Sequence, residues 1–168
     1  MLEGVKSQGV QIAIQNGRGI RASLDLGEFT MGEILTILPF QNTLSTFRVS
    51  GATLLAALEN GVSQVEEGAG RFPQVAGLTY AFDPVGTVGK RVSDVRVLHS
   101  GRAVPLDPVK LYSVVSNNYL RNGGDGYKMF KTAQDVYDFG PDLADIVAEY
   151  MAAHAPYQPY LAGRIIEK

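Results

Sequence analysis

The chain has 168 residues, 45% hydrophobic and 19% charged, the make-up of one globular domain that can bury a substantial core without disulfide or metal staples. A net charge of -2 gives no electrostatic basis for binding nucleic acid or an anionic membrane, and zero cysteines exclude disulfides and thiolate chemistry while leaving the compartment open. No apolar run approaches the ~20 residues of a membrane span, and Met1-Leu2-Glu3-Gly4 lacks the basic and apolar regions of a signal peptide.

Val10-Gln11-Ile12-Ala13-Ile14-Gln15 alternates with the period of a strand that has one buried face. It runs into Asn16-Gly17-Arg18-Gly19-Ile20-Arg21, where two glycines let the backbone and the Arg21 guanidinium approach a ligand closely. Arg21 is thus a candidate to grip a phosphate or carboxylate. The motif is not the GxxxxGK[ST] phosphate loop, and an arginine after a turn is also an ordinary surface ion-pair residue. Thr30-Met31-Gly32-Glu33 has capping-box spacing, with Ile34, Leu35, Ile37 and Leu38 behind it at helical intervals, so a short helix starts at Thr30 and stops at Pro39. Phe40-Gln41-Asn42 follows. The plain reading of Phe40 is a core plug beside a helix end.

Leu44 to Val49 reads as a strand, and Gly51 to Glu59 as a helix capped by Ser50 with Leu54, Leu55 and Leu58 on one face. Gly68 to Pro73 is a loop by composition, and Leu78 to Phe82 with Val92 to Val97 makes a long hairpin. Pro141 opens a last helix carrying Leu143, Ile146, Val147 and Tyr150, and the tail from Pro156 is irregular until Ile165. Between these, Tyr112 to Tyr127 passes from a β-branched, aromatic strand into Asn122-Gly123-Gly124-Asp125-Gly126, which cannot continue it. The turn holds Asp125 at a strand end, and a folded-back Tyr119 sets an aromatic face beside that carboxylate. Such a pair suits a ring-bearing polar ligand; a glycine-rich hairpin with a solvated Asp and a core Tyr is the plainer alternative. His99 and His154, the two histidines, belong to no cluster of metal-ligand spacing and read as surface residues.

Five of these stretches occur in the order and spacing of one family. They are NGRGIR at Asn16, LPFQN at Leu38, VSG at Val49, the glycine loop with Phe72 and Gly77, and NNYLRNGGDGY at Asn117. The chain resembles the C-terminal domain of the 5'-nucleotidases, which include bacterial periplasmic UDP-sugar hydrolases and surface-anchored vertebrate ecto-5'-nucleotidases. The likeness runs from about Val10 to Lys131. It implies a layered α/β sandwich, in agreement with strands near residues 10, 45, 80, 95 and 114 and helices after 30, 51 and 141. Residues 1–168 then form a single substrate-binding domain.

The resemblance also implies roles. Phe40 and Tyr119 match the two aromatics that sandwich the nucleobase, and Asp125 the carboxylate that accepts hydrogen bonds from ribose hydroxyls. Asn16 and Asn42 match amides around the base, Arg21 the phosphate contact, and Gly70 a loop glycine lining the pocket. These are binding roles; no catalytic or metal-binding residue is implied in this chain. Two positions depart from the family pattern. Arg18 stands where glycine is usual, and Tyr119 where phenylalanine is common.

In the family, two divalent metals in an N-terminal metallophosphatase domain activate the attacking water, and a helix just before the position of Met1 carries another arginine. Neither is in this sequence. The resemblance therefore implies a nucleotide-binding part of a larger, metal-dependent and mostly exported or surface-bound enzyme, with a nucleotide and the metallophosphatase domain as its partners. A stand-alone nucleotide-binding or interaction module, and the substrate domain of a related sulfur-oxidation hydrolase, are the alternatives.

Overall fold

The computed structural model describes residues 1–99 and 101–168; the side chain of His99 also lies outside what is described, and with it the expectation of a surface histidine there. In chain order the elements are β1 (Ile12–Asn16), α1 (Met31–Ile37), β2 (Leu44–Ser50), α2 (Gly51–Val62), β3 (Pro73–Ala76), β4 (Leu78–Phe82) and β5 (Val92–His99). After them come β6 (Arg102–Pro105), β7 (Leu111–Asn117), α3 (Asn118–Arg121), β8 (Gln134–Tyr137), α4 (Leu143–Ala153) and β9 (Ile165–Glu167). They form two sheets, one ordered β3-β1-β7-β2-β8 and the other β6-β5-β4-β9.

The larger sheet is covered on both faces, which makes the fold a layered α/β sandwich. Ile12, Ile14, Phe47, Val49 and Val114 face one core, shared with Leu54 and Leu58 of α2 and with Leu78, Tyr80 and Phe82 of the smaller sheet. Ala13, Leu44 and Val115 face the other, closed by Ile34 of α1 and by Leu143, Ala144 and Ile146 of α4. Neighbouring residues of β1 and of β7 thus enter opposite cores, as strand pleating requires. Burial on one face only, the expectation for β1, is corrected: all five of its residues are buried, because β1 lies inside the sheet between β3 and β7.

Local signals hold at the starts of α1 and α2, while the start of the last helix is corrected: Asp142, whose carboxylate accepts the Ala144 N–H at 2.7 Å, caps α4 in place of an opening at Pro141. Thr30 Oγ1 accepts the Glu33 N–H at 3.4 Å and the Glu33 carboxylate accepts the Thr30 N–H at 2.6 Å, closing the capping box. Ser50 Oγ accepts the Thr53 N–H and opens α2. Along α2 the burial is narrower than expected, since Leu54 and Leu58 are buried while Leu55 is 39% exposed. The hairpin β4–β5 is antiparallel, with an irregularity between Thr79 and Ala81. Strands β3, β6 and β8 had no periodic signal, being short stretches of four residues recruited by pairing.

A charged staple joins α2 to the smaller sheet. Arg91 is 5% exposed and gives Nη1 and Nη2 to Glu66 at 2.7 and 2.8 Å, while Glu59 accepts the N–H groups of Arg91 and Val92. The Arg91 bond holds the Glu66 carboxyl down to about 2.

Candidate functional site

The ends of the three inner strands of the larger sheet meet on one side of it, where β1 and β7 finish and β2 begins. β1 and β7 are parallel, with Ile14 opposite Ser116, so Gln15 and Asn16 finish beside Asn117, and antiparallel β2 starts opposite Asn117 at Leu44. Side chains leaving the carboxyl ends of parallel strands converge there, the usual place for a ligand in α/β sheets.

Asn117 is fully buried and organises these strand ends. Its Nδ2 donates to Gln15 Oε1 at 2.9 Å and to Asn16 Oδ1 at 3.0 Å, and its Oδ1 accepts the Leu120 N–H at 2.8 Å, capping α3. With Asn16 Oδ1 occupied in this way, Asn16 Nδ2 reaches Asp125 Oδ2 at 2.8 Å. The other carboxylate oxygen, Oδ1, accepts the Tyr119 hydroxyl at 2.9 Å.

Asp125 adopts the left-handed conformation, φ 51°. Its carbonyl accepts Asn60 Nδ2 at 3.1 Å, and Asn60 Oδ1 in turn faces Arg71 Nη1 at 3.5 Å. Gly124 just before it leaves room for the ring, because a Cβ there would stand 2.5 Å from Tyr119 ring atoms. The ring therefore lies directly on the loop backbone. The hydrogen bond to Asp125, followed by partial desolvation, raises the Tyr119 hydroxyl above the ordinary tyrosine range.

The expected placement of Asp125 at a strand end is corrected: the helical turn α3 and a tight turn at Gly124–Gly126 separate it from β7. That detour lets Tyr119, carried on α3, fold back onto the carboxylate. Tyr119 is 47% exposed, so it is no core tyrosine.

Phe40 is 55% exposed, which overturns its reading as a core plug; Leu38, two residues earlier, is the buried one, in the core with α1 and α4 residues. The Arg21 guanidinium lies 5.9 Å from the Phe40 ring centroid. Arg21 is positioned through its N–H, which donates to Ile37 at the end of α1. The Phe40 segment is clamped to the Tyr119 segment, since the Asn118 N–H donates to Thr43 O at 3.0 Å and the Thr43 N–H to Asn118 Oδ1 at 3.3 Å.

Gly70 meets the NGRGIR turn from the opposite side. Its carbonyl accepts the Arg18 N–H at 3.0 Å, and the Phe72 carbonyl accepts the Gly17 N–H at 2.8 Å. Between these segments lies a cleft of about 390 Å³ lined by Gly17, Arg18, Arg21, Gly68, Gly70 and Phe72, among others. Asn42 is half-buried; its carbonyl accepts the Leu143 N–H, and its amide enters none of the described side-chain hydrogen bonds.

Asn16, Tyr119 and Asp125 thus form one bonded group, Arg21 and Phe40 a second, and Gly70 with Arg18 a third. Sequence reasoning assigned no role to Asn117, Asn60 or Arg71. A polar pair, Ser116-Asn117, ending an apolar strand was the one available signal for Asn117. Among the described residues no group of three or more His, Asp or Glu could hold a metal ion. His154 stacks on Tyr150 at 4.1 Å between ring centroids, and no described helix is long and apolar enough to cross a membrane.

A family model described as the C-terminal domain of 5'-nucleotidase matches residues 5–132. The chain belongs to that family. This 5'-nucleotidase C-terminal domain is 40% identical over 164 residues to the trifunctional nucleotide phosphoesterase protein YfkN of Bacillus subtilis, covering 96% of the chain and 11% of YfkN. Its structure matches a 5'-nucleotidase precursor from Thermus thermophilus with a TM-score of 0.97 and 46% identity, over 99% of this chain and 33% of that one. The sulfate thiohydrolase SoxB of Thermus thermophilus has the same fold, with a TM-score of 0.71 at 22% identity over 98% of the chain and 30% of SoxB. The domain spans a third or less of the length of each of these proteins.

Proposed function

We propose that residues 1–168 are the nucleotide-binding, substrate-specificity domain of a metal-dependent 5'-nucleotidase-type phosphohydrolase. In this reading Phe40 and Tyr119 stack on the base, Asp125 accepts the ribose hydroxyls, Arg21 faces the phosphate, and Asn16, Asn42 and Gly70 complete the pocket. The observation that carries it is the exposure of two large aromatics, Phe40 and Tyr119, on segments clamped to each other and next to a carboxylate. Exposed rings gain free energy from a flat ligand, ~1 to 3 kcal/mol for each stacked base. An ionised carboxylate accepts strongly from paired hydroxyls. Asp125 keeps capacity for them, because two anionic oxygens offer about four acceptor sites and two are taken by Asn16 and Tyr119.

Hydrolysis belongs, in this proposal, to a metallophosphatase domain of the same parent chain, and binding energy from the base and ribose positions the reacting phosphorus there. The described residues offer no metal cluster that fits the two metals, so no chemical step is assigned to them. The parent is proposed to be exported or surface-bound, as the family mostly is.

The test is a titration of the domain with adenosine and adenosine 5'-monophosphate, followed by chemical-shift changes. Saturable binding that both Phe40→Ala and Asp125→Ala weaken by about fivefold or more supports the pocket. Affinity untouched by either variant overturns it.

A further inference from the structure

Arg18 occupies a place with a use of its own. Its main chain is fixed to the facing loop by the Gly70 bond, and its side chain lies across Gly70: a Cβ added there would run into Arg18 Cβ and stand 2.8 Å from Cδ and 2.9 Å from Nε. The long cation is therefore laid along the cleft. Arg18 and Arg21 both line that cleft, whose other lining residues, Gly17, Ile20, Val65, Gly68, Ala69, Gly70 and Phe72, carry no acidic group. Neither arginine has a carboxylate within 4.0 Å among the described ion pairs, and Glu66, next along from Val65, is turned onto Arg91.

Two arginines lining a space with three glycines and no acidic residue supply the charge for an anion that carries more than one negative charge. The site starts at Gly17, immediately after Asn16, which is bonded to Asp125. A ligand held by its ribose at Asp125 thus lies against the segment whose next residue lines this cleft.

We propose that Arg18 holds a second phosphoryl group, so that the domain prefers nucleotides carrying two phosphoryl groups over monophosphates. The proposal rests on the nucleotide-binding reading above and adds the substrate class. Two chemistries supply the second group, a 5'-diphosphate and a phosphate elsewhere on the ribose. Arg21 serves the first phosphoryl group and Arg18 the second.

The experiment measures dissociation constants for adenosine 5'-monophosphate, adenosine 5'-diphosphate, adenosine 3',5'-bisphosphate and inorganic pyrophosphate, with the domain as it stands and with Arg18→Gln and Arg18→Lys. One charge-assisted contact at an exposed site gives about a tenfold preference for the diphosphate or the bisphosphate over the monophosphate. Whichever of the two gains identifies the second group's position. In Arg18→Gln that ratio falls to about one, and in Arg18→Lys part of it returns; far-UV circular dichroism confirms that the variants are folded.

A ratio near one in the unaltered domain, or a ratio that survives Arg18→Gln, overturns the proposal. If no nucleotide saturates, pyrophosphate separates the two readings. Pyrophosphate binding lost in Arg18→Gln keeps the Arg18 assignment while the base-and-ribose pocket fails, and no pyrophosphate binding overturns both.

Discussion

Tyr119 and Asp125 are joined twice: the tyrosine hydroxyl donates to Asp125 Oδ1 at 2.9 Å and accepts the Asp125 N–H at 3.3 Å. One ring therefore fixes both the side chain and the backbone of the candidate ribose acceptor. Tyr119→Phe removes both bonds and keeps the ring. Because the site is exposed, stability should fall by less than about 1 kcal/mol, and adenosine affinity should stay within about threefold, since stacking survives. Tyr119→Ala should lose about tenfold or more. Parallel titrations and urea midpoints of the two variants check this.

The same bond has a signature at alkaline pH. Asp125 raises the Tyr119 ionisation, so the bond contributes stability below the ordinary tyrosine value of about 10 and loses it as pH rises through the raised value. Tyrosinate absorbance should show Tyr119 titrating later in the unaltered chain than in Asp125→Ala. Tyr80 and Tyr127, both fully buried and raised by desolvation, should ionise last, together with unfolding.

Exposed and buried aromatics should separate cleanly. Phe40→Ala removes a ring that is 55% exposed and should leave stability within about 0.5 kcal/mol, while nucleoside affinity falls by ~1 to 3 kcal/mol. Phe47, 2% exposed and 5.0 Å from Phe130 between ring centroids, is the contrast. Phe47→Ala should cost about 3 to 5 kcal/mol. Denaturant midpoints beside binding titrations decide whether Phe40 belongs to the pocket.

Gly124→Ala tests the seat of the Tyr119 ring. The added methyl would stand 2.5 Å from ring atoms, so the ring must lift and its bond to Asp125 must stretch or break. Adenosine affinity should drop about tenfold with little loss of stability, because an exposed side chain gives way more easily than a packed core. Unchanged affinity would mean the ring position does not matter.

Acid should act through Glu66. With its carboxyl held at about 2 by Arg91, its contribution to stability is fully present above the ordinary carboxylate range and is lost as pH falls through about 2. Glu66→Gln should therefore be less stable than the unaltered chain at neutral pH. The gap should close between about pH 4.5 and pH 2, as measured by thermal midpoints across that range.

Much of the fold was legible because its signals are local. The Thr30–Glu33 capping box, the Ser50 cap and the β4–β5 hairpin each depend on residues close in sequence. The short strands β3, β6 and β8 were not legible, since they exist through pairing with distant segments. The candidate site divides in the same way. Its residue types stood out in NGRGIR and GGDG, but the bonds from Asn117 to Asn16 and from Asn60 to Asp125 cross from one element to another. Nor did sequence reveal whether Phe40 points in or out. That depended on tertiary packing, which buries Leu38 and leaves Phe40 exposed.

Asp125 sits at φ 51°, a left-handed backbone state that glycine and asparagine adopt most readily and that aspartate also tolerates. The loop thus keeps a charged residue where a neutral one would fold at least as well. Variants of the domain selected only for folding should drift to asparagine at this position, which tolerates the same backbone and still accepts from Asn16. Variants selected for holding a ligand should not. The residue that survives under each selection tells whether position 125 answers to the fold or to the molecule it binds.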